Sequence, residues 1–211
     1  MGTVNHVPRP HRTTVAPLSA SEALGNALVI DVETTGLDPS EDRIIEIGAA
    51  HVIEGTVRSV FHELINPHRP ISPFIEEITG LENRRIASAR DSHEVLPEFL
   101  SYIQSASQVD NTTSCRRACC FVGHNVAFDL SFLGAELERI QTSNTLPQWH
   151  SLCTADLARR LIPRQRVGRY TLLNLTEYLQ TQFKPSHRAL ADVKATVEVL
   201  IKLESIESTT N

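Results

Sequence analysis

At 211 residues and 41% hydrophobic content, the chain is long enough to bury the core of one α/β domain and gives no reason to expect two. A formal net charge of -5 excludes a uniformly basic binding surface, although an acidic site flanked by local basic contacts fits within the same sum. No stretch approaches the roughly 20 apolar residues that a membrane-spanning helix needs.

The first 24 residues carry Arg9, Arg12 and three prolines, with no acidic residue before Glu22 and no period that would bury a face. A flexible tail over 1–24 is the expectation. Neither an amphipathic Arg-rich transit helix nor a myristoylation pattern is visible, His6 standing where the latter needs Ser or Thr. From Ala27 to Glu33 runs a β-branched apolar segment, stopped by Thr34-Thr35-Gly36 and Asp38-Pro39, which predicts a buried first strand. Two more strands are predicted over 44–53 and 57–65, joined at Glu54-Gly55-Thr56 as a hairpin. Val95, Leu96, Phe99, Leu100 and Ile103 recur at helical spacing within 93–103, and 105–117 reads as a polar loop.

Phe121-Val122-Gly123 predicts a short strand entering a helix with Leu130, Leu133, Leu137 and Ile140 along one side. Further helices are predicted over 152–161, 170–179 and 189–203, with 205–211 a short C-terminal tail. Strands first and strand–helix units afterwards imply a single α/β domain over 25–204, a mixed β-sheet flanked by α-helices. Of the four cysteines, Cys115, Cys119, Cys120 and Cys153, the first three lack the spacing and fourth ligand of a zinc site, no signal-peptide pattern is present, and ordinary thiols in a cytoplasmic protein are expected.

Asp31 and Glu33 stand two apart on one strand, so their side chains share a face and can share an ion; two solvated acids at a strand end are the ordinary alternative. Asp129 sits where His124-Asn125-Val126-Ala127-Phe128 turns from strand to helix, the mouth of the sheet where open α/β folds place ligands, and an acid there also favours the helix dipole. Asp192 shares an apolar helical stripe with Thr196, Val199 and Leu203, where an unpaired carboxylate is expensive and metal ligation offsets the expense. His187 precedes it by five residues, about 140° away on a continuous helix. Pro185-Ser186 therefore places His187 in the loop before the helix, with Ser186 or a neighbour as cap, unless it is an unremarkable surface histidine.

In order, Asp31-Val32-Glu33-Thr34-Thr35-Gly36, Ile78-Thr79-Gly80, His124 to Asp129, and His187-Arg188-Ala189-Leu190-Ala191-Asp192 resemble the successive motifs of the DEDDh-type 3'-5' exonucleases, within the ribonuclease H-like superfamily. The resemblance covers roughly 27–203 and is nearest to the DNA polymerase III epsilon proofreading family. It implies a ribonuclease H-like fold and metal-dependent hydrolysis of nucleotides from the 3' end of DNA, preferably single-stranded or frayed, in proofreading or repair. Asp31, Glu33, Asp129 and Asp192 would hold two divalent ions, Mg²⁺ or Mn²⁺, with His187 as general base. The terminal nucleotide would rest against Thr34, Leu37, Ile78, Thr79, His124, Asn125 and Phe128.

Arg159, Arg160, Arg164, Arg166 and Arg169 form a run without an acid, either a solvated face or a track for the nucleic-acid backbone in which Arg164 and Arg166 are singled out. Cys153-Thr154 stands where relatives often have Asp-Thr, which leaves the ligand set intact. A polymerase partner is left open, because no docking extension or clamp-binding peptide is evident. An RNA-trimming relative of the ribonuclease T or oligoribonuclease kind shares the same five residues, and a catalytically silent nucleic-acid-binding module is the reading from a different class.

Overall fold

The computed structural model describes residues 18–107 and 119–210. Five strands, β1 (Asn26–Thr34), β2 (Ile44–Ile53), β3 (Thr56–Leu64), β4 (Cys120–Gly123) and β5 (Ser151–Cys153), form one mixed sheet in the order β3-β2-β1-β4-β5. The first three are antiparallel, with the hairpin at Glu54 and Gly55 taking the left-handed backbone that its turn requires. β4 then lies parallel to β1 from Ala27 to Val29, and β5 parallel to β4.

Strand alternation sorts the core into two layers. Ala27, Val29, Ala50, Val52 and Val122 face a cluster completed by Leu157, Leu175, Leu200 and Leu203. Leu28, Ile30, Val32, Ala49 and Phe121 face the other, with Val95, Phe99, Phe132 and Leu133. The first layer's helices are α1 (Ala20–Gly25), α6 (Thr154–Leu161), α8 (Leu172–Tyr178) and α9 (Ala189–Thr210); the second's are α4 (Ser92–Ser107) and α5 (Val126–Arg139). Three short helices, α2 (Pro73–Thr79), α3 (Asn83–Ala87) and α7 (Arg164–Val167), complete the chain.

Several expectations need correction. Residues 20–24 are not tail but lie in α1, closed by a capping box between Ser19 and Glu22 and tied to α9 by the Ala20 N–H donating to Glu207 Oε2 at 2.8 Å. Six residues are too few to show a hydrophobic period, although Ser19-x-x-Glu22 was the readable signal. The expected C-terminal tail continues α9 to Thr210, with Ile206 packed on the core. Leu152 belongs to β5 and the helix after it begins only at Thr154, because a three-residue parallel strand carries no alternation to read. α4 runs on to Ser107, and the remainder of the expected 105–117 loop, with Cys115, lies outside the described residues, as do 1–17. Cys119 and Cys120 are buried free thiols, and burial pushes both up to about 12. Among the described residues no helix is long and apolar enough to cross a membrane.

α9 touches the sheet backbone almost directly, and a glycine allows it. A Cβ on Gly48 would meet the Ala189 carbonyl carbon at 2.5 Å and the Leu190 nitrogen at 2.7 Å. Gly48→Ala is therefore expected to lower unfolding free energy by roughly 1–3 kcal/mol, the usual range for overpacking. Urea unfolding measures it, and an unchanged midpoint would show that α9 does not depend on this approach.

Candidate active site

β1 is the strand where the sheet changes from antiparallel to parallel neighbours, and its pairing with β4 stops at Val29. The residues beyond it therefore open onto the crevice where α/β folds collect ligands. Asp31 and Glu33 have the parity of Ala27 and Val29 and so face the α9 layer. Asp192 comes to them from the first turn of α9, while Asp129 comes from the first turn of α5, which starts directly after β4.

The four carboxylates predicted from sequence are thus brought to one end of one strand. Asp129 and Asp192 are only 3% and 8% exposed, and Asp31 and Glu33 are half-buried. Main-chain donors orient two of them: Val32 N–H donates to Asp129 Oδ1 at 3.0 Å, and Ser186 N–H to Asp192 Oδ1 at 2.8 Å. Burial is the leading cause that raises all four carboxyl pKa values. For Asp31, Asp129 comes next, followed by Glu33, Asp192 and Glu46, and the shift is well above the usual carboxylate range. Glu33 is raised to about 8 by burial and then by Asp192, Glu46 and Asp129, with Arg188 opposing. Asp129 is raised to about 7 by burial against the pull of the Val32 hydrogen bond. Asp192 is raised by burial, while Ser186 N–H and His187 oppose. Donor atoms of Glu33, His187 and Asp192 lie within 4.8 Å of one another, so a divalent ion can be held there.

His187 stands in the loop before α9, as its spacing implied, and is exposed with a left-handed φ of 53°. Ser186 meets the helix through its main chain, donating to Asp192. Two buried acids that sequence reading did not single out support this arrangement. Glu136 of α5 is fully buried and grips Arg43 through Oε1 at 2.6 Å and Oε2 at 2.9 Å, which anchors the 35–43 loop following β1. Glu46 of β2, paired across the sheet with Glu33, holds Arg188 at 2.9 Å. Nothing in a lone strand glutamate announces burial; only the Arg188 after His187 offered a partner to look for.

Of the expected substrate contacts, Asn125 and His124 line a cleft of about 660 Å³ that also takes in Asp31, His187, Asp192 and Tyr170. His124 has both ring nitrogens engaged, Nε2 donating to the Tyr170 carbonyl and Nδ1 3.0 Å from the Thr154 hydroxyl, and burial lowers its pKa. Leu37 is 84% exposed on the loop after β1. Thr34 is buried with its hydroxyl donating to Gly36 O, and Phe128 is half-buried against Phe132 at 4.7 Å between centroids. Ile78 and Thr79 end α2 rather than form a free turn, and the Thr79 hydroxyl donates to Ile75 O. Neither lines the cleft. Arg164 and Arg166 sit on α7 outside the cleft lining, whereas Arg159, from the same run, lines it with its guanidinium 5.6 Å from the Tyr170 ring centroid.

Residues 28–200 match the RNase_T family model, described as exonuclease. A PolC-type DNA polymerase III of Caldanaerobacter subterraneus subsp. tengcongensis is 34% identical over 181 residues, which is 85% of this chain and 12% of the relative. The 3'-5' exonuclease DinG of Bacillus subtilis is 33% identical over 184 residues, 85% of this chain and 18% of the relative. The chain therefore spans well under a quarter of these relatives' length. Exonuclease X in complex with 5' overhanging duplex DNA superposes with a TM-score of 0.59 at 27% identity, covering 87% of this chain and 92% of that one. The E. coli ExoI-ssDNA complex reaches 0.69 at 19% identity, covering 88% and 41%, and so shares the fold.

The upward carboxyl shifts fix a pH dependence for the metal-free chain. Folded Glu33 and Asp129 keep protons up to about 8 and about 7. The unfolded chain releases them near pH 4, so their contribution to stability is complete below that pH and is lost as pH rises through 7 to 8. In EDTA, melting temperature is expected to fall between pH 5 and pH 8.5, and Asp129→Asn to flatten the fall. A melting temperature that rises over this range would contradict the stated burial and repulsion.

Proposed function

The chain belongs to the DEDDh-type exonuclease family, and we propose that it hydrolyses nucleotides from the 3' end of DNA, single-stranded or frayed, in proofreading or repair. The observation that carries this reading is the convergence of Asp31, Glu33, Asp129 and Asp192 from β1, α5 and α9, all with raised pKa values, beside an exposed His187. Four carboxylates form an all-oxygen donor set suited to a hard divalent cation. The mutual repulsion that raises Asp31 and Glu33 is what bound positive charge would remove.

Asp31, Glu33, Asp129 and Asp192 would hold two Mg²⁺ or Mn²⁺ ions. Such ions supply Lewis acidity for an attacking water and for the departing 3'-oxygen. His187 lies outside the buried carboxylates and takes the proton from the water. The Val32 and Ser186 N–H groups fix one oxygen each of Asp129 and Asp192 and so orient both carboxylates. Arg159, which lines the cleft as Arg164 and Arg166 do not, would bind a backbone phosphate there, and the exposed Leu37 would offer an apolar surface to a base. The solved complex of Exonuclease X with 5' overhanging duplex DNA supports DNA as the partner.

Digestion of 5'-labelled single-stranded DNA, mismatched duplex and RNA, with Mg²⁺, Mn²⁺ or EDTA, tests this directly. A ladder shortening from the 3' end of DNA, abolished by EDTA, is expected. Ala at Asp31, Glu33, Asp129 or Asp192 should remove nearly all activity, and His187→Ala should slow turnover roughly 10²–10⁴-fold while sparing Mn²⁺ affinity. Preferential shortening of RNA would shift the substrate to RNA. Recovery of the His187 variant at high metal concentration would make that residue a ligand.

A further inference from the structure

Glu46 is a fully buried carboxylate outside the donor set proposed above. It projects from β2 toward the α9 layer and is encircled by donors. Arg188 Nε approaches its two oxygens at 3.2 and 3.1 Å, Arg188 Nη2 lies 2.9 Å from Oε1, and the Ala189 N–H donates to Oε2 at 3.2 Å. His62 Nε2, on the neighbouring strand, is 2.6 Å from Oε1. The placement is unfavourable for the site nearby: Glu46 stands opposite Glu33 in register and adds its negative charge to Asp31, Glu33 and Asp192. A buried ion pair is seldom a net gain in stability over an apolar filling, so its use is sought in what it positions.

What Glu46 grips is the pair of residues that follow His187. On the other side of His187, the Ser186 N–H donates to Asp192 Oδ1 at 2.8 Å. Between these anchors His187 has a φ of 53°, a conformation that non-glycine residues seldom adopt and that persists when its surroundings over-determine it. We propose that Glu46 and Arg188 are positioning residues that hold the His187 backbone in this conformation and so aim its imidazole at the carboxylate site. The proposal rests on the reading of His187 as the proton acceptor. Arg188 and Glu46 need not touch substrate for this.

Two properties separate positioning from electrostatics alone. Glu46→Gln removes a negative charge and Arg188→Ala a positive one, so a purely electrostatic influence would move turnover in opposite directions. Loss of positioning lowers kcat in both, by about 10–100-fold as for other outer residues that orient a reacting group, with KM little changed. Because both variants break one linkage, Glu46→Gln/Arg188→Ala should be no slower than the slower single variant. Amide hydrogen exchange provides a readout independent of turnover: in both variants the amides of 186–190 should exchange at least about tenfold faster, while those of the α9 interior keep their wild-type protection. Assays run well below each variant's own melting temperature. Unchanged exchange at 186–190 overturns the pairing whether or not the wild type degrades DNA. Opposite kcat effects, or additive ones, overturn it in an active enzyme. Accelerated exchange together with an inactive wild type would sustain the anchoring while removing the function assigned to His187.

Discussion

Negative charge concentrated at the end of β1 is the constraint around which the molecule is arranged. Asp31, Glu33, Asp129 and Asp192 are drawn from one strand and two helices into a partly water-excluded space; burial raises all four pKa values, and repulsion adds to it at Asp31, Glu33 and Asp192. Water-exposed carboxylates could have spread apart; these cannot, because each is carried by an element fixed in the core. β1 is the central strand and pairs on both sides, α5 is short-coupled to β4, and α9 spans the α9 layer from Ala189 to Thr210. The surrounding groups make the concentration tolerable with oriented main-chain donors at Asp129 and Asp192 and with Arg188 beside Glu33. A scaffold of this kind spends stability on a preorganised site, and that site gains most from bound positive charge.

The same constraint explains two features that would otherwise look incidental. Gly48 lets the first residues of α9 lie against the β2 backbone, level with Asp31 in register. Glu136 and Arg43 anchor the loop after β1, where Gly36 leaves room for Asp42 and Leu37 is held outward. Both features shape the approach to β1's end from opposite layers of the fold.

Much of this was legible in the sequence because the four acidic residues sit in local patterns. Asp31 and Glu33 interrupt a β-branched run at even spacing, Asp129 opens a helix right after a strand, and Asp192 lies on an apolar stripe. The proline before Ser186 correctly put His187 ahead of its helix. The less legible parts depend on contacts distant in sequence. Glu46 meets Arg188, and Glu136 meets Arg43, each across about a hundred residues or more. β5 and α1 are too short for periodicity to register. The arginine run could not be resolved by composition either, since its members have the same charge; only the turn of α6 onto Tyr170 brings Arg159 to the cleft and leaves Arg164 and Arg166 outside.

If the four carboxylates hold divalent cations together, their protons are displaced as the cations bind. Calorimetric titration of Mn²⁺ at pH 7, in two buffers of different ionisation enthalpy, measures binding and proton release together. Glu33 near 8 and Asp129 near 7 are partly protonated at that pH, so binding should release protons to the buffer, and the release should shrink as pH rises above 8. Absence of Mn²⁺ binding, or binding with the same apparent enthalpy in both buffers at pH 7, would contradict it.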